Sequence, residues 1–282
     1  MSTLKEVQKL ELSILDKVID VIDSLNLTYF AAYGTLLGAV RNGGFIPWDT
    51  DIDIWMPRRD YNLLLENKDI FKSPLFLQNP DTDTICNSIT KIRCDGTSAL
   101  SDYFKDVSFH RGVFIDIFPL DSIYDDENLN CQLFETIDFI FNKVKYDKDP
   151  IVRYPDEKMI KANAHMFDFL NDTLTIIDNN TKESGLCGSV ADWRYLPRDR
   201  KTFYKKDFEN HIYLKFDGLN HKISVPIGYK NILNKLYGDW TVPKKDVKIN
   251  GDLYFDLEKD YRYYDELSKD EFLVAFDRIK NE

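Results

Sequence analysis

The sequence from Tyr33 to Trp55 is YGTLLGAVRNGGFIPWDTDIDIW, and it combines glycine turns with three closely spaced aspartates. Asp49, Asp51 and Asp53 occupy alternate positions, and alternate side chains of a β-strand point to the same face. We therefore predict a strand from Phe45 to Met56 that carries the three carboxylates on one face. Carboxylates this close repel one another unless a cation neutralises them, and Mg²⁺ favours carboxylate and phosphate oxygens. The pattern predicts a site for a divalent cation and a phosphate group.

Two other interpretations of the aspartates are a calcium loop and a solvated turn. A calcium loop needs glycine at its sixth position, which is Ile54 when Asp49 is counted as the first. A solvated turn would lack apolar neighbours, yet Ile52 and Ile54 alternate with the acids, which indicates one buried and one charged face. The calcium loop is excluded, and the cation site is favoured over a surface role.

A strand, a glycine turn and a short helix are predicted just before the aspartates. The strand covers Asn26 to Ala32, and Gly34 and Thr35 then open a helical turn from Leu36 to Arg41. Free backbone N–H groups at the start of a helix favour anions. Gly34 and Thr35 are therefore predicted to bind phosphate or ribose.

A further acid lies in the apolar run GVFIDIFPL, from Gly112 to Leu120. We predict a strand here that ends at Pro119. Acids are rarely buried unless they are paired or bind a metal, so Asp116 is the predicted third carboxylate of the site. His110 precedes this run and is interpreted first as a polar surface residue and second as a base.

Two cations are two residues apart in a predicted strand from Ser88 to Arg93. Lys91 and Arg93 therefore share a face. Either they line a surface edge of the sheet, or they reach a diphosphate group.

The composition excludes some classes of partner. The 282 residues are 43% hydrophobic, which allows a substantial core, and the net charge is −11. An acidic chain lacks the basic face that a nucleic-acid backbone requires. No apolar run reaches the length of a membrane span, and the N-terminus lacks the apolar centre of a signal peptide. We expect no nucleic-acid partner, no transmembrane segment and a cytoplasmic location, with peripheral contact at the inner face of the membrane left open.

Three segments are predicted along the chain. Residues 1–124 form the catalytic core, residues 125–202 form a helical and loop subdomain on the acceptor side, and residues 203–282 add a hairpin and helices that pack on the core. Apolar periodicity and glycine turns predict the further elements, which are helices at 4–25, 58–66, 229–237 and 269–279 and a hairpin at 212–225.

Together the motifs resemble those of the LicD family, which includes the fukutin-related proteins. The matching stretches are GTLLGAVR at 34–41, IPWDTDID at 46–53, FIDIFPLD at 114–121, VPIGY at 225–229 and LYGDW at 236–240. The family often has a further aspartate where this chain has Thr50. On the predicted strand, Thr50 would point away from the metal-binding face.

The resemblance implies an α/β fold with a nucleotidyltransferase-like mixed sheet, flanking helices and a helical insertion. It also implies transfer of a phosphorylated alcohol from a CDP-linked donor, which is CDP-choline or another CDP-alcohol such as CDP-ribitol or CDP-glycerol. The implied acceptor is a glycan or lipid-linked glycan, as in teichoic acid or lipopolysaccharide. Choline would need an aromatic face, for which the candidates are Trp48, Trp193, Tyr195 and Trp240.

We expect Asp51 and Asp53 to hold Mg²⁺ or Mn²⁺ at the donor diphosphate, and Asp116 to bind metal or to accept the proton of the incoming hydroxyl. Asp49 either binds the metal or orients a ligand. The candidates to offset diphosphate charge are Arg41, Lys91 and Arg93. Three other functions stay open: a true nucleotidyltransferase that releases pyrophosphate, a glycosyltransferase, and a binding module without activity.

Overall fold

The computed structural model describes residues 3–84, 88–100, 109–145, 157–189, 202–243 and 253–281. The helices are α1 Leu4–Ser24, α2 Tyr33–Leu37, α3 Arg58–Glu66, α4 Glu127–Lys145, α5 Glu157–Asn180, α6 Tyr229–Tyr237, α7 Tyr261–Asp265 and α8 Lys269–Asn281. The strands are β1 Phe30–Ala31, β2 Asp53–Pro57, β3 Leu75–Gln78, β4 Thr90–Cys94, β5 Ser98–Leu100, β6 Phe114–Ser122, β7 Leu186–Gly188, β8 Thr202–Tyr204, β9 His211–Lys215, β10 Lys222–Pro226 and β11 Tyr254–Asp256.

The main sheet is mixed. Its order is β1-β2-β6-β4-β3, with β2 and β6 parallel and the other neighbours antiparallel. Strand β7 pairs with the end of β6, and β8 pairs with β7. Helices α1, α3 and α5 pack against β6. The predicted α/β fold, a mixed sheet flanked by helices, is confirmed.

Helix α1 begins at a capping box, in which Thr3 and Glu6 each bond to the other's backbone N–H group. Its apolar residues recur at three- and four-residue steps and form one buried stripe against the sheet, as the periodicity predicts. Glu11 and Asp16 are also buried on this helix. The apolar stripe is therefore interrupted by two acids, each of which needs a partner.

The predicted strand from Phe45 to Met56 is wrong over most of its length, because β2 begins only at Asp53. The preceding residues form an irregular segment whose backbone is bonded elsewhere. The carbonyl of Asp49 accepts a hydrogen bond from Gln8 Nε2 of α1 at 2.9 Å, and the Asp49 N–H group donates to Ile46 O at 2.9 Å. Contacts with α1 thus replace strand pairing, and Thr50 does not lie on a strand.

Strand β6 continues through Pro119 to Ser122, so the predicted end at Pro119 is also wrong. The N–H group of Asp116 donates to Ile52 O, on the β2 side, which places the nitrogen of Pro119 on the opposite side. On that side, β4 begins at Thr90, opposite Ile117, and does not reach Pro119. The missing N–H group of proline therefore breaks no bond of the ladder.

Two elements near β2 differ in length from the prediction. Strand β1 covers only Phe30–Ala31, and helix α2 begins at Tyr33 and continues into a π-helical turn at Gly38–Asn42. Helices α1, α3, α6 and α8 and the β9–β10 hairpin lie where they were predicted, to within two residues. No helix in the described part of the chain has the length and apolar character needed to cross a membrane. The division into three segments stays a prediction.

Candidate active site

Three side chains form a row across neighbouring strands of the sheet. Asp53 of β2 pairs in register with Asp116 of β6, and Asp116 pairs in register with Lys91 of β4. Residues paired in register point to the same face, so the three meet. The Lys91 ammonium forms an ion pair with the Asp116 carboxylate and lies 3.9 Å from the ring centre of Phe114.

Asp51 joins this row from the segment that precedes β2. Asp51, Asp53 and Asp116 each offer one carboxylate oxygen, and these oxygens lie within 4.8 Å of one another. A set of oxygen ligands without sulfur or imidazole suits Mg²⁺ or Mn²⁺. The fold thus brings together the three carboxylates predicted to be catalytic.

Asp49 is buried next to Asp51, and the two side chains share a hydrogen bond. Two carboxylates can make this bond only while one of them holds a proton. Burial raises the pKa of both groups, and the charges of Asp49 and Asp116 raise the pKa of Asp51 further. A divalent cation would compete with the proton for these oxygens.

Most of the chain is similar in sequence to a known protein. Residues 26–159 match the family described as LicD/FKTN/FKRP, nucleotidyltransferase domain. These residues are therefore similar to a LicD family domain. The chain is also 26% identical over 267 residues to the lipopolysaccharide cholinephosphotransferase LicD of Haemophilus influenzae. The match covers 87% of this chain and 95% of that protein. The resemblance inferred from the motifs is confirmed.

Within the LicD domain, Gly34 and Thr35 contact the aspartates. A Cβ atom at Gly34 would lie 2.6 Å from Oδ2 of Asp49, so glycine gives that carboxylate its space. The hydroxyl of Thr35 accepts a hydrogen bond from the Asp53 backbone N–H group at 2.9 Å and fixes the start of β2. Both residues lie inside the first turn of α2, and their contact with phosphate or ribose stays a prediction.

Lys91 and Arg93 lie in the interior of the sheet, because β4 runs between β3 and β6. This excludes a surface edge. Arg93 is buried and donates to Gln78 Oε1 at 2.5 Å and to Gly112 O at 2.7 Å. Arg93 therefore links β3 to the start of β6, while Lys91 is the cation in contact with an acid of the site.

Among the other predicted binding residues, the structure describes Arg41, Trp48 and Trp240. Arg41 is on the π-helical turn and donates to Trp240 O at 3.3 Å. Trp48, directly before Asp49, is 38% exposed and accessible to a ligand. Trp193 and Tyr195 fall outside the described residues. Binding of a donor by any of these side chains stays a prediction.

His110 is buried, so its interpretation as a surface residue is wrong. Its Nδ1 atom accepts a hydrogen bond from the Gly112 N–H group at 3.0 Å, and its Nε2 atom lies 2.8 Å from Oδ1 of Asp95. Burial lowers the pKa of His110. Both ring nitrogens are used in local hydrogen bonds, which favours a role in shaping the turn after β4.

Glu11 of α1 is a residue of the site that the sequence prediction missed. It is 1% exposed, and its burial raises its pKa well above the ordinary value. The charges of Asp51, Asp49 and Asp116 raise the pKa further, so Glu11 lies within electrostatic reach of the acidic cluster. The sequence feature that could have identified Glu11 is the presence of an acid within the apolar stripe of α1.

Tyr237, the last residue of α6, is a second residue near the site that the sequence prediction missed. Burial raises its pKa, and the charges of Asp53, Asp49 and Asp51 add to this effect. Tyr237 belongs to the LYGDW motif, which is far from the aspartates in sequence. Only the packing of α6 against α2 shows that the two motifs meet.

Proposed function

We propose that this protein transfers phosphocholine from CDP-choline to a hydroxyl group of a cell-surface glycan or a teichoic acid precursor, with Mg²⁺ or Mn²⁺, and releases CMP. The observation that carries the proposal is the convergence of Asp51, Asp53 and Asp116 in a LicD domain. The name of the H. influenzae relative supports choline as the alcohol.

The carboxylates fit a divalent cation in number, spacing and chemistry. Asp51, Asp53 and Asp116 would hold it, and Asp49 would bind or orient a ligand. When bound, the cation supplies positive charge to the donor diphosphate and to the departing CMP. Lys91, held by Asp116, adds a fixed positive charge at the same place.

The reaction itself requires positioning and the movement of one proton. The acceptor oxygen forms a bond to the distal phosphorus of the donor, the bond from that phosphorus to the CMP oxygen breaks, and the acceptor hydroxyl loses its proton. Asp116 is the carboxylate proposed to accept this proton or, alternatively, to complete the cation site. Trp48 is the exposed aromatic residue proposed to face the quaternary ammonium of choline.

The test measures CMP release from CDP-choline with Mg²⁺ or Mn²⁺ and a glycan acceptor, using wild type and Asp53→Asn. We expect the variant to lose at least about 100-fold in rate, because it loses a carboxylate at the centre of the site. Asp69→Asn is the matched control, since Asp69 is exposed and follows α3.

Parallel donors separate the remaining functions. Release of CMP only from CDP-ribitol or CDP-glycerol would keep the chemistry and change the alcohol. Pyrophosphate released from a nucleoside triphosphate would identify a nucleotidyltransferase instead. No turnover of any donor, together with no thermal shift in CDP or CMP, would reject the assignment.

A further inference from the structure

Asp51 is held in the candidate site differently from the other two acids. Asp53 and Asp116 lie on paired strands, so the register of β2 and β6 fixes the positions of their carboxylates. Asp51 lies before β2, in the irregular segment that starts at Phe45. The position of its carboxylate therefore depends on the contacts that hold the backbone on either side of it.

On its C-terminal side, Asp51 is followed by backbone that the core holds. The carbonyl of Ile52 accepts a hydrogen bond from the Asp116 N–H group at 2.8 Å. The Asp53 N–H group donates to the Thr35 hydroxyl at 2.9 Å. The backbone is therefore already fixed one residue after Asp51.

On its N-terminal side, Asp51 is preceded by backbone that helix α1 holds. The Nε2 atom of Gln8 donates to the carbonyl of Asp49 at 2.9 Å. Among the described residues, this is the hydrogen bond that ties the backbone of residues 45–50 to another element, since the Asp49 N–H group bonds within the segment, to Ile46 O. Gln8 thus fixes the backbone before Asp51, as the core fixes it afterwards.

The contact made by Gln8 reaches Asp51 by two routes. Asp49 lies two residues before Asp51 in the chain, and the two side chains share a hydrogen bond. Asp49 is 3% exposed, and its carboxylate lies in the space that Gly34 leaves. A shift of the Asp49 backbone would therefore move the Asp51 carboxylate relative to the two acids on the strands.

We propose that Gln8 is a positioning residue of the cation site, which holds Asp51 at the distance from the two strand acids that a shared cation requires. The inference rests on the proposed function, because the cation is proposed there. Gln8 acts through the backbone of Asp49 and not as a ligand. Residues 26–159 match the LicD family, so α1 precedes the matched part, and a helix outside that part completes the site.

The chemistry of glutamine and the support of α1 both suit this task. A side-chain amide donates a hydrogen bond without carrying charge, so it adds no repulsion to a cation beside the acids. Gln8 lies between the capping box of Thr3 and Glu6 and the bond that joins Asp16 to the β9–β10 hairpin. The helix is therefore anchored on both sides of Gln8, and precise placement of a ligand requires such a rigid support.

The experiment measures the Mn²⁺ affinity of the full chain by calorimetric titration without any donor. Gln8→Met keeps a side chain of similar length and removes the amide, and Gln8→Ala removes both. We expect both variants to bind Mn²⁺ about 10-fold more weakly than wild type, because one carboxylate of the site is no longer held in place. Ser13→Ala is the matched control: it removes a neutral donor from an exposed position of the same helix, and it should keep the wild-type affinity.

The two variants separate positioning from packing. If Gln8 only filled space, Gln8→Met would bind Mn²⁺ like wild type and Gln8→Ala alone would bind it weakly, and that result would overturn the proposal. Urea unfolding without metal checks that each variant folds. If Gln8→Met does not fold, Gln8→Asn takes its place, because its amide is one methylene too short for the bond and the same loss of affinity is expected.

The outcomes also separate this inference from the proposed function. Wild-type Mn²⁺ affinity in the Gln8 variants would reject the positioning role and keep the cation site. No Mn²⁺ binding to wild type would reject the metal dependence of the proposed function and, with it, the role of Gln8.

Discussion

Gly34 lies against the carboxylate of Asp49, and the space around it is narrow. An added Cβ atom would lie 2.6 Å from Asp49 Oδ2, which is well inside van der Waals contact. Asp49 is 3% exposed and has little room to move away. Gly34 therefore determines the position of the Asp49 carboxylate relative to Asp51.

Replacing Gly34 with alanine is expected to displace Asp49 while the fold persists. Alanine favours the helical backbone of α2, but its Cβ atom crowds the buried Asp49, so the free energy of unfolding without metal should fall by about 1–3 kcal/mol. The affinity for Mn²⁺ should fall by about 10–100-fold, because a carboxylate of the site has moved. Calorimetric titration with Mn²⁺ and urea unfolding measure the two effects.

Gly96→Ala provides the comparison for Gly34→Ala. Gly96 has a positive φ of 76° in a turn, and a Cβ atom there would meet no atom within 4 Å. This variant should lose about 1 kcal/mol of stability through backbone strain and keep its Mn²⁺ affinity. Unchanged Mn²⁺ binding in Gly34→Ala would contradict the role given to Gly34.

A second buried acid, Asp121, stabilises the packing of helices against the sheet. Asp121 of β6 is fully buried and accepts from Arg58 Nε at 2.5 Å, and Arg58 Nη1 donates to Asn171 Oδ1 of α5 at 2.8 Å. Asp121 lies in the FIDIFPLD motif, five residues after Asp116. Within this motif, Asp116 therefore lies in the candidate site, whereas Asp121 joins α3, β6 and α5.

At the scale of elements, α1 is attached to the β9–β10 hairpin by a polar contact at the hairpin turn. Asp16 of α1 accepts hydrogen bonds from the backbone N–H groups of Asn220 and His221, at 3.1 and 3.2 Å. The His221 ring bridges Asp16 at 2.8 Å and Asp20 at 3.1 Å. The same helix that carries Glu11 is thus anchored at its middle.

The contact between His221 and α1 should make stability depend on pH. The hydrogen bond to Asp16 raises the pKa of His221 above its ordinary value, and the charges of Asp16, Asp20 and Asp23 add to this. The folded state therefore holds the proton more tightly than the unfolded state does. The stabilisation is complete below the unfolded pKa of 6.5 and is lost as the pH rises through the folded pKa.

We expect wild type to exceed His221→Gln in unfolding free energy near pH 5.5, by less than about 1 kcal/mol because the ring is partly exposed. The difference should shrink toward about pH 9, where His221 is neutral in both states. Urea unfolding across this pH range measures it. His165→Gln, at an exposed position of α5, is the control, and a difference independent of pH would assign the effect to packing rather than charge.

At the scale of the molecule, apolar packing separates into distinct clusters that polar contacts connect. The large cluster extends from Val7 to Phe255, and a smaller one joins α4 and α5 around Ile123, Ile137, Leu170 and Leu174. Asn62 of α3 donates to Thr175 at 2.8 Å, and the Ser122 N–H group donates to Asp178 at 2.7 Å. Helix α5 is therefore joined to the sheet by several contacts along its length.

These contacts predict that the smaller cluster unfolds together with the sheet. Leu174→Ala should lower the free energy of unfolding by about 2–5 kcal/mol, because Leu174 is buried and leaves a cavity. The loss should lower the midpoint of a single unfolding transition, which near- and far-ultraviolet circular dichroism both monitor. Ile176→Ala, at a site 60% exposed on the same helix, should change stability by less than about 0.5 kcal/mol. Two transitions, of which only one shifts, would instead favour an independent segment at 125–202.

Local signals made much of the fold predictable. The apolar periodicity of α1 and α3 and the glycine that ends α6 act within one or two turns of the chain, so the sequence alone located these elements. The alternating aspartates were predicted to lie on one strand, and that geometry is wrong, because β2 begins only at Asp53. The acidic segment bonds to α1 and to its own turn, and such long-range partners leave no local pattern in the sequence.

The sequence by itself determined the residue types that the site needs, namely closely spaced aspartates, an acid in an apolar strand and small residues at a turn. Only the tertiary structure decided how they meet. The parallel pairing of β2 and β6 sets Asp53 beside Asp116, and β4 adds Lys91. The packing of α1 places the buried Glu11 within electrostatic reach of these acids. Strand register and helix packing depend on the whole core, because they are fixed by which apolar faces can be buried together.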